Sequence, residues 1–473
     1  MNIFQHLPRT AAMALALGMA GCANFMPPTQ VEAQVAPQWQ APLPHQGTVS
    51  NLAQWWQSQG DPVLAELIEA AQAVSPSVAQ ALARVDAARA TRAAANAALL
   101  PSLDASVTAS RGVNQPNVPV TTTQTIGLLT AWELDLVGAN RAVSRAADAQ
   151  VQGVQAQWHD ARVSVAAEVA NSYYSLSTCT QLLSGARADA ASRQETARLA
   201  EVSAKAGFTA PSTAALARAS AADGNSRMTQ QAASCELDTK ALVALTGMSE
   251  PDLKKKLASA LIKPAQAAPF LIASVPAQTL TQRPDVFAAE RDVMVASAQV
   301  GAAKAQRLPR LSLNGSIGAM RIASQGNTTS LDTWSFGPLS LSLPIFDGGQ
   351  GAANVTSAEA SYTQAVAVYR GKVRQAVREV EEALVNLQSA DARKLDAEVS
   401  TIGYAESLQA TQARYSQGLA SLVELEDARR SSLAAQSAQL SLALERNRAW
   451  VALYRALGGG FDAAISADLS ATR

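Results

Sequence analysis

The chain has few of the residues that proteins use to build reactive sites. Its 473 residues include 3 cysteines and 3 histidines, all far apart in sequence. A metal site needs such ligands at short spacings, so the sequence predicts no bound metal, and no motif in it predicts a cofactor. Charged residues make up only 16%, and the formal net charge is zero. Nucleic-acid binders carry a basic excess, so a nucleic-acid partner is not expected.

The apolar content is high even though aromatic residues make up only 5% of the chain. Hydrophobic residues reach 48%, and alanine is their largest component. Alanine is the best helix former and lets neighbouring helices approach closely. The composition therefore predicts long, tightly packed helices.

The N-terminus reads as a targeting segment. Arg9 precedes a short apolar stretch that ends at Gly21-Cys22, too short to span a membrane as a helix. Small residues before a cysteine resemble a bacterial lipobox, so residues 1–21 are predicted to be a lipoprotein signal peptide and Cys22 a lipidated (palmitate-bearing) N-terminus. The alternative is an ordinary secretory signal with a chance cysteine. Residues 22–60 are predicted to form an extended arm on the surface.

The body of the chain contains an internal duplication. Pro76 and Pro284 each open an alanine-rich helical run, and the two runs lie 208 residues apart; the glycine pairs Gly207/Gly418 and Gly247/Gly458 are each 211 apart. The period is far longer than that of solenoid repeats. The predicted domains are a first repeat at 61–250, an equatorial linker at 251–278, a second repeat at 279–460 and a C-terminal tail at 461–473.

Each repeat contains two stretches in which apolar and polar residues alternate. Strict period two predicts half-buried strands, and their length of about ten residues suits a tilted membrane-spanning strand. Polar, turn-like segments at 112–123 and 321–332 separate the two strands of each pair. The predicted strands are 102–112, 123–136, 310–321 and 333–346.

A long helix and a returning helix follow each predicted hairpin. The long helices are predicted at 141–205 and 352–416, and the returning helices at 209–246 and 419–457. A helix over 141–205 would be about 97 Å long, which is too long for a globule and indicates a coiled coil or a tube. Four membrane strands are too few to close a sheet, so closure requires several chains; three would supply twelve strands.

Several segments resemble the outer-membrane efflux protein family of TolC-like channel-tunnels, in its lipoprotein branch. They are residues 132–141, 279–318, 342–360 and 413–430. The resemblance implies a mainly α protein with a membrane β-barrel: a homotrimer whose twelve-stranded barrel in outer-membrane lipid continues as a periplasmic α-helical barrel. It also implies a passive conduit for drugs and other small toxic compounds, not an enzyme. The implied partners are a periplasmic adaptor and an inner-membrane RND-type transporter.

Three other interpretations remain. A type I secretion exit duct would share the family fold, and a lipid-anchored periplasmic adaptor would be helical but would not need four amphipathic strands. A soluble enzyme is the weakest, because the glycine-rich segment 347–351 fits neither dinucleotide nor Walker patterns and is expected to be a strand-to-helix bend. His159, beside Asp160 on a polar helix face, is expected to be solvated rather than catalytic.

The resemblance also implies two groups of functional residues. The turns around Gly207-Phe208 and Gly418-Leu419 correspond to the adaptor-docking tips. A periplasmic gate corresponds to Tyr415, Asp427 and Arg430, in which polar and ionic links hold neighbouring helices inward. The first repeat has no carboxylate at the equivalent place, so the second repeat is expected to carry the gate.

The spacing of two cysteines predicts a disulfide. Cys179 and Cys235 lie equally far before and after Gly207, so in an antiparallel hairpin they share one height. Packed helices are about 8–10 Å apart, which lets inward-facing cysteines reach disulfide geometry, and the periplasm is oxidising. The alternative is two buried free cysteines on different faces. The second repeat has Ala390 and Arg446 at these places, so the bond would be unique to the first.

Overall fold

The computed structural model describes residues 25–33, 39–41, 55–58, 61–113, 119–260, 280 and 283–461. Within them the chain is mostly helical, with one antiparallel sheet. The elements, in chain order, are α1 (Trp55–Ser58), α2 (Pro62–Val74), α3 (Pro76–Ala97), β1 (Ser102–Gly112), β2 (Thr121–Leu134), α4 (Ala139–Lys205), α5 (Pro211–Thr246), α6 (Glu250–Ala260), α7 (Pro284–Ala305), β3 (Arg310–Ser324), β4 (Asn327–Ser342), α8 (Gln350–Ser416) and α9 (Leu422–Ala456).

Contacts divide the chain into two units. The first comprises Met1–Glu32, Asp86–Gly153 and Ala289–Tyr369 and contains the sheet; the second comprises Ala33–Val85, Val154–Ala288 and Arg370–Arg473 and contains the largest apolar core. Among the described residues, no helix combines the length and the apolar character that a membrane crossing requires.

The sheet joins the two repeats. Its strand order is β1-β2-β3-β4, all antiparallel, so β2 of the first repeat pairs with β3 of the second, and β1 and β4 are the edges. On the face that carries Ile126 and Ile317 the side chains are mostly apolar, and we call it the apolar face. The opposite face, which carries Thr125 and Ser316, is the polar face. Along the middle of β2 and β3 the apolar face is exposed and the polar face half-buried, the reverse of a soluble sheet.

The strands of the second hairpin extend further towards the turn than the sequence predicted, and the turn is correspondingly shorter. Residues 321–332 were expected to form a polar turn, but β3 continues to Ser324 and β4 starts at Asn327. A two-residue turn at Gln325-Gly326 joins them, and both residues have positive φ, 51° and 82°. Such turns match the twist of paired strands, so the alternation of side chains continues to the turn. At its other end β4 stops at Ser342 rather than at 346.

The long helices start two residues earlier than the sequence predicted, because an aspartate caps each start. α4 begins at Ala139 rather than 141, where the Asp135 carboxylate accepts hydrogen bonds from the backbone N–H of Asn140 and Arg141 at 3.2 and 2.9 Å. α8 begins at Gln350, two residues before its predicted start; Gly349 and Gly351 donate their N–H to Asp347, so segment 347–351 is a capped bend.

The predicted linker and arm are more structured than expected. Residues 251–260 of the linker belong to α6, which starts at Glu250. The arm was expected to lie on the surface, yet Trp39, Trp55 and Trp56 are all buried in the core of the second unit. The reason is aromatic packing: both Trp55 and Trp56 contact the ring of Tyr454, with centroids 4.9 and 4.8 Å away.

Candidate functional site

The turn between α4 and α5, which we call the first tip, is a Schellman-type helix end. Gly207 has φ 80°, and the N–H of Phe208 donates to the carbonyl of Ser203 at 2.9 Å. This six-to-one bond satisfies a carbonyl that the helix end would otherwise leave unpaired. α5 then starts at Pro211, two residues after the predicted 209, because proline suits the first helical position. Phe208 is 85% exposed.

The turn between α8 and α9, the second tip, has the same construction. Gly418 has φ 72°, and the N–H of Leu419 donates to the Arg414 carbonyl at 2.8 Å. α9 starts at Leu422 rather than at 419, because Ser421 and Glu424 form a reciprocal capping box. Leu419 is 70% exposed. Each tip thus presents one large apolar side chain on a backbone fixed by hydrogen bonds.

The predicted gate residues lie on either side of the second tip in sequence, Tyr415 in α8 and both Asp427 and Arg430 in α9. Asp427 and Arg430 form an ion pair within α9, and their side chains are 58% and 76% exposed. Tyr415 is partly buried and packs on the small apolar cluster that includes Leu422 and Leu425. The structure therefore places the ionic pair at the surface of the single chain and the tyrosine against the helix hairpin.

Beside this pair lies a buried ionic network that sequence reasoning missed. Arg193 of α4 donates to Asp189 at 2.8 Å and to the hydroxyl of Ser220 in α5 at 2.6 Å, and it also pairs with Glu426 of α9. Glu426 accepts a second bond, at 2.8 Å, from Arg429. The two arginines are only 6% and 3% exposed. The network thus ties helices of the first repeat to α9 of the second.

The network is completed by hydroxyl groups and by a glycine. Arg429 donates to Ser192 and Thr196 of α4 at 2.8 and 2.9 Å. A Cβ at Gly224 of α5 would lie 2.8 Å from Cδ of Arg193, so glycine makes room for that side chain. Arg193 and Glu426 are 233 residues apart, so no local pattern predicts their contact. The only signal in the sequence was the pair of adjacent carboxylates at 426 and 427, and the family resemblance assigned a gate role to residue 427.

Cys179 and Cys235 form a disulfide between α4 and α5, with their Cα atoms 5.5 Å apart. Both residues are buried in the core of the second unit. The amide of Gln231, one turn before Cys235 on α5, donates to the sulfur of Cys179 at 3.1 Å. The bond closes a sequence separation of 56 residues and joins the two helices of the first hairpin.

His159 is half-buried, not solvated as its polar neighbours suggested. Its ring lies 4.9 Å from that of Trp158 and 5.3 Å from that of Phe461, measured between centroids. Burial and the nearby positive charge of Arg162 lower the pKa of His159 to about 4. The imidazole is therefore neutral at physiological pH and packs against these two aromatic rings.

The Arg283-Pro284-Asp285 sequence in the second repeat forms another buried ionic cluster. Arg283 binds both oxygens of Asp285 at 2.9 and 2.8 Å, Glu379 of α8 at 2.8 Å, and the carbonyl of Ala456 at the end of α9 at 2.8 Å. Burial alone would raise the pKa of Asp285, but the hydrogen bonds and charge of Arg283 lower it. This cluster fixes the start of α7 against α8 and α9.

Two further expectations from the sequence concern lipidation and metal binding. Cys22, the predicted lipidation site, lies outside the described residues. In the part of the chain that the structure describes, no three His, Cys, Asp or Glu side chains are grouped so as to hold a metal ion.

Comparison with known proteins gives a consistent result over nearly the whole chain. Residues 67–248 and 275–459 match the family described as outer membrane efflux protein. The chain is 31% identical to outer membrane protein OprJ of Pseudomonas aeruginosa over 472 residues, 96% of either protein. It is 30% identical to the solvent efflux pump outer membrane protein SrpC of Pseudomonas putida over 85% of this chain and 86% of SrpC.

A solved structure shares the fold. The crystal structure of a membrane protein from Pseudomonas aeruginosa superimposes with a TM-score of 0.80 at 29% identity, covering 91% of this chain and 98% of the other. The residues that match the family include all four strands of the sheet and both pairs of long helices.

Proposed function

The chain belongs to the outer membrane efflux protein family, and from this membership we infer that it is the outer-membrane channel of a tripartite efflux pump. The relatives include pump components named for solvent efflux. The single observation that best supports a channel is the sheet: it has two edge strands, and its apolar face is the exposed one. A sheet of this kind is suited to lipid on one side and water on the other.

We propose that three copies close the sheet into a twelve-stranded barrel. Unpaired edge strands are unstable in lipid, and pairing β4 of one copy with β1 of the next removes every edge. The two repeats, 61–250 and 279–460, would each contribute one hairpin to the barrel and one pair of long helices to a periplasmic α-helical barrel.

An apolar stripe on α8 supports the same assembly. Leu395, Val399 and Ile402 lie on one helix face at spacings of four and three residues, and they are 68%, 63% and 61% exposed in the single chain. Exposed apolar stripes mark interaction sites, and the occupant we propose is a neighbouring copy.

The proposed partners follow from the exposed apolar residues at the two tips and from membership of the family. We propose that Phe208 and Leu419, held by Gly207 and Gly418, dock onto a periplasmic adaptor, and that the adaptor joins the channel to an inner-membrane RND-type transporter. Tyr415, Asp427 and Arg430 are the proposed gate. The channel is a passive conduit without catalytic residues; the transporter supplies the energy.

Localisation completes the proposal. The chain resides in the outer membrane and extends into the periplasm, where an oxidising environment favours the Cys179–Cys235 bond. Lipidation of Cys22 would add a second attachment to outer-membrane lipid beside the barrel.

Fractionation and electrophysiology test this function together. We expect the chain in the outer-membrane fraction, with heat-modifiable mobility on gels, and discrete channels when the purified protein is added to planar lipid bilayers. Loss of the gene should raise susceptibility to exported drugs. Recovery in the soluble periplasmic fraction, without channel activity, would indicate an adaptor or tether instead.

A further inference from the structure

Towards the hairpin turns, the polar face of the sheet differs between the two hairpins. On β1 and β2 it presents Ser106, Thr108 and Ser110 opposite Gly127, Thr125 and Thr123. Among polar neighbours that include Thr329 and Thr333, three residues of this face on β3 and β4 are apolar. They are Met320, Ile322 and Leu331, which we call the apolar patch.

The strand register makes the patch continuous. Met320 is directly paired with Leu331 across the second hairpin, and Ile322 is two residues further along β3 on the same face. Directly paired side chains have Cβ atoms about 4.5–5.5 Å apart. On the other side, Met320 is paired with Thr125 and Ile322 with Thr123, so the patch ends where the polar hairpin begins.

A pair of glycines lies beside Met320 of the patch. Gly127 and Gly318 are paired across β2 and β3. A Cβ at Gly318 would lie 2.3 Å from the carbonyl oxygen of Ile126 and 2.8 Å from Cα of Gly127, so the close approach of these strands requires glycine. Met320 therefore has no neighbouring side chain at position 318 of its own strand, and Leu331 is 47% exposed.

The patch has no role in holding the chain in lipid, because it is on the face opposite to the exposed apolar side chains of Ile126 and Ile317. In the closed barrel of the proposed function, on which this inference rests, the polar face lines the lumen. Each copy then adds one apolar patch and one polar hairpin, so the two alternate around the channel.

We propose that Met320, Ile322 and Leu331 form a contact site for the apolar part of exported solutes. An apolar solute gains free energy by covering these side chains, whereas a hydrated ion does not. Because the patch is only three side chains among polar ones, the contact is weak enough for release, as conduction requires. The site selects apolar and amphipathic solutes over small inorganic ions.

The test compares the permeability of a lipophilic cation with that of potassium. The ratio for tetraphenylphosphonium over K⁺ is measured from reversal potentials of the full-length protein in planar bilayers. The triple variant Met320→Thr, Ile322→Thr, Leu331→Thr keeps good strand formers. We expect its ratio to fall about threefold, because the variant loses the apolar surface that the lipophilic cation covers.

Leu129→Thr is the matched control. Leu129 is a leucine on the same polar face, but it lies beyond Gly127 and Gly318 and outside the patch. The permeability ratio of this variant should stay at the wild-type value. The reciprocal variant Thr123→Ile, Thr125→Met extends the patch onto β2 and should raise the ratio.

An unchanged ratio in an inserted triple variant overturns the inference. If that variant does not insert, the reciprocal variant decides, and an unchanged ratio there has the same consequence. Wild-type protein that forms no channels at all contradicts the proposed function instead.

Discussion

At the scale of single residues, the two adjacent carboxylates of α9 have opposite environments. Glu426 lies between two buried arginines, whereas Asp427 pairs with Arg430 at the surface. Exposed pairs contribute about 0–1 kcal/mol, but removal of one partner from a buried ionic group costs about 3–5 kcal/mol because the remaining charge is left without compensation.

Glu426→Ala should therefore destabilise the protein by about 3–5 kcal/mol, measured as a lower midpoint of thermal or urea unfolding in detergent. The matched control is Asp427→Ala, one residue along the same helix, which should lower stability by less than about 1 kcal/mol. Equal effects of the two substitutions would contradict the buried network.

Asp427→Ala has a second readout, because Asp427 belongs to the proposed gate. Loss of its pair with Arg430 should raise single-channel conductance or antibiotic sensitivity through leakage. The rise in open probability should be at most about fivefold, the equivalent of an exposed ion pair. Unchanged conductance would remove Asp427 from the gate.

His159 predicts a dependence of stability on pH. Its pKa is about 4 in the folded protein against about 6.5 in an unfolded chain, so the unfolded chain binds more protons between these values. The stability that His159 contributes is complete above about pH 6.5 and is lost as the pH falls towards 4.

We expect the free energy of unfolding to be lower at pH 5 than at pH 7.5 by about 1–2 kcal/mol from this residue. His159→Gln removes the titrating group, so the difference between wild type and variant isolates its share from that of other groups such as Asp160. Parallel pH profiles for the two proteins would show that His159 is not the cause.

At the scale of elements, the two helical hairpins are built alike but fastened differently. Both turn at a glycine with positive φ, and α4 and α8 each have 67 residues. Only α4 and α5 are joined by a disulfide, while at the equivalent height of the second hairpin Arg446 binds Asp391 at 2.6 Å. A covalent link in one hairpin makes its helices less free to separate than those of the other.

Cys179→Ser with Cys235→Ser should lower the stability of the first hairpin. Chain entropy for a loop of this length gives about 4 kcal/mol, as an upper value for an assembly with other contacts. Melting of the purified protein with and without a reductant measures the effect. The reductant should lower the midpoint of the wild type to that of the double variant and leave the variant unchanged; two alkylatable thiols in untreated protein would contradict the bond.

The tips allow the docking proposal to be separated from folding. Phe208→Asp with Leu419→Asp should abolish drug efflux and leave assembled channels in the outer membrane, because both side chains are exposed and contribute little to the fold. Gly207→Asn is the control, since asparagine tolerates positive φ and keeps Phe208; efflux should persist. Normal efflux in the Asp variant would reject these residues as the docking site.

At the scale of the whole molecule, a single chain leaves two surfaces incomplete. The sheet ends in β1 and β4, and the stripe of Leu395, Val399 and Ile402 is exposed. Both features are costly in isolation, and the proposed trimer would cover them with neighbouring copies, the edges in lipid and the stripe in water.

Val399→Glu with Ile402→Glu should prevent trimer formation, because a neighbouring apolar surface would bury two unpaired charges. Native mass spectrometry or light scattering in detergent gives the mass of the assembly. Ser400→Glu, exposed on the same helix but off the stripe, is the control and should remain trimeric. Trimers in the double variant would assign the stripe to another partner.

The sequence by itself determined what depends on neighbouring residues. Period-two alternation located the strands, and the prolines and glycines at Pro76, Gly207, Pro284 and Gly418 located the helices to within a few residues, because those residues act on their own backbone. The spacing of Cys179 and Cys235 about Gly207 also depended only on helical rise, which is the same in every helix.

Only the tertiary structure decided contacts between residues distant in sequence. Arg193 meets Glu426, the tryptophans of the arm enter the core, and Gly127 faces Gly318 across a pair of strands. Each depends on which helices and strands become neighbours, and local propensity carries no information about that. Burial then sets the chemistry: it lowers the pKa of His159 and makes Glu426, not Asp427, the carboxylate that two buried arginines require.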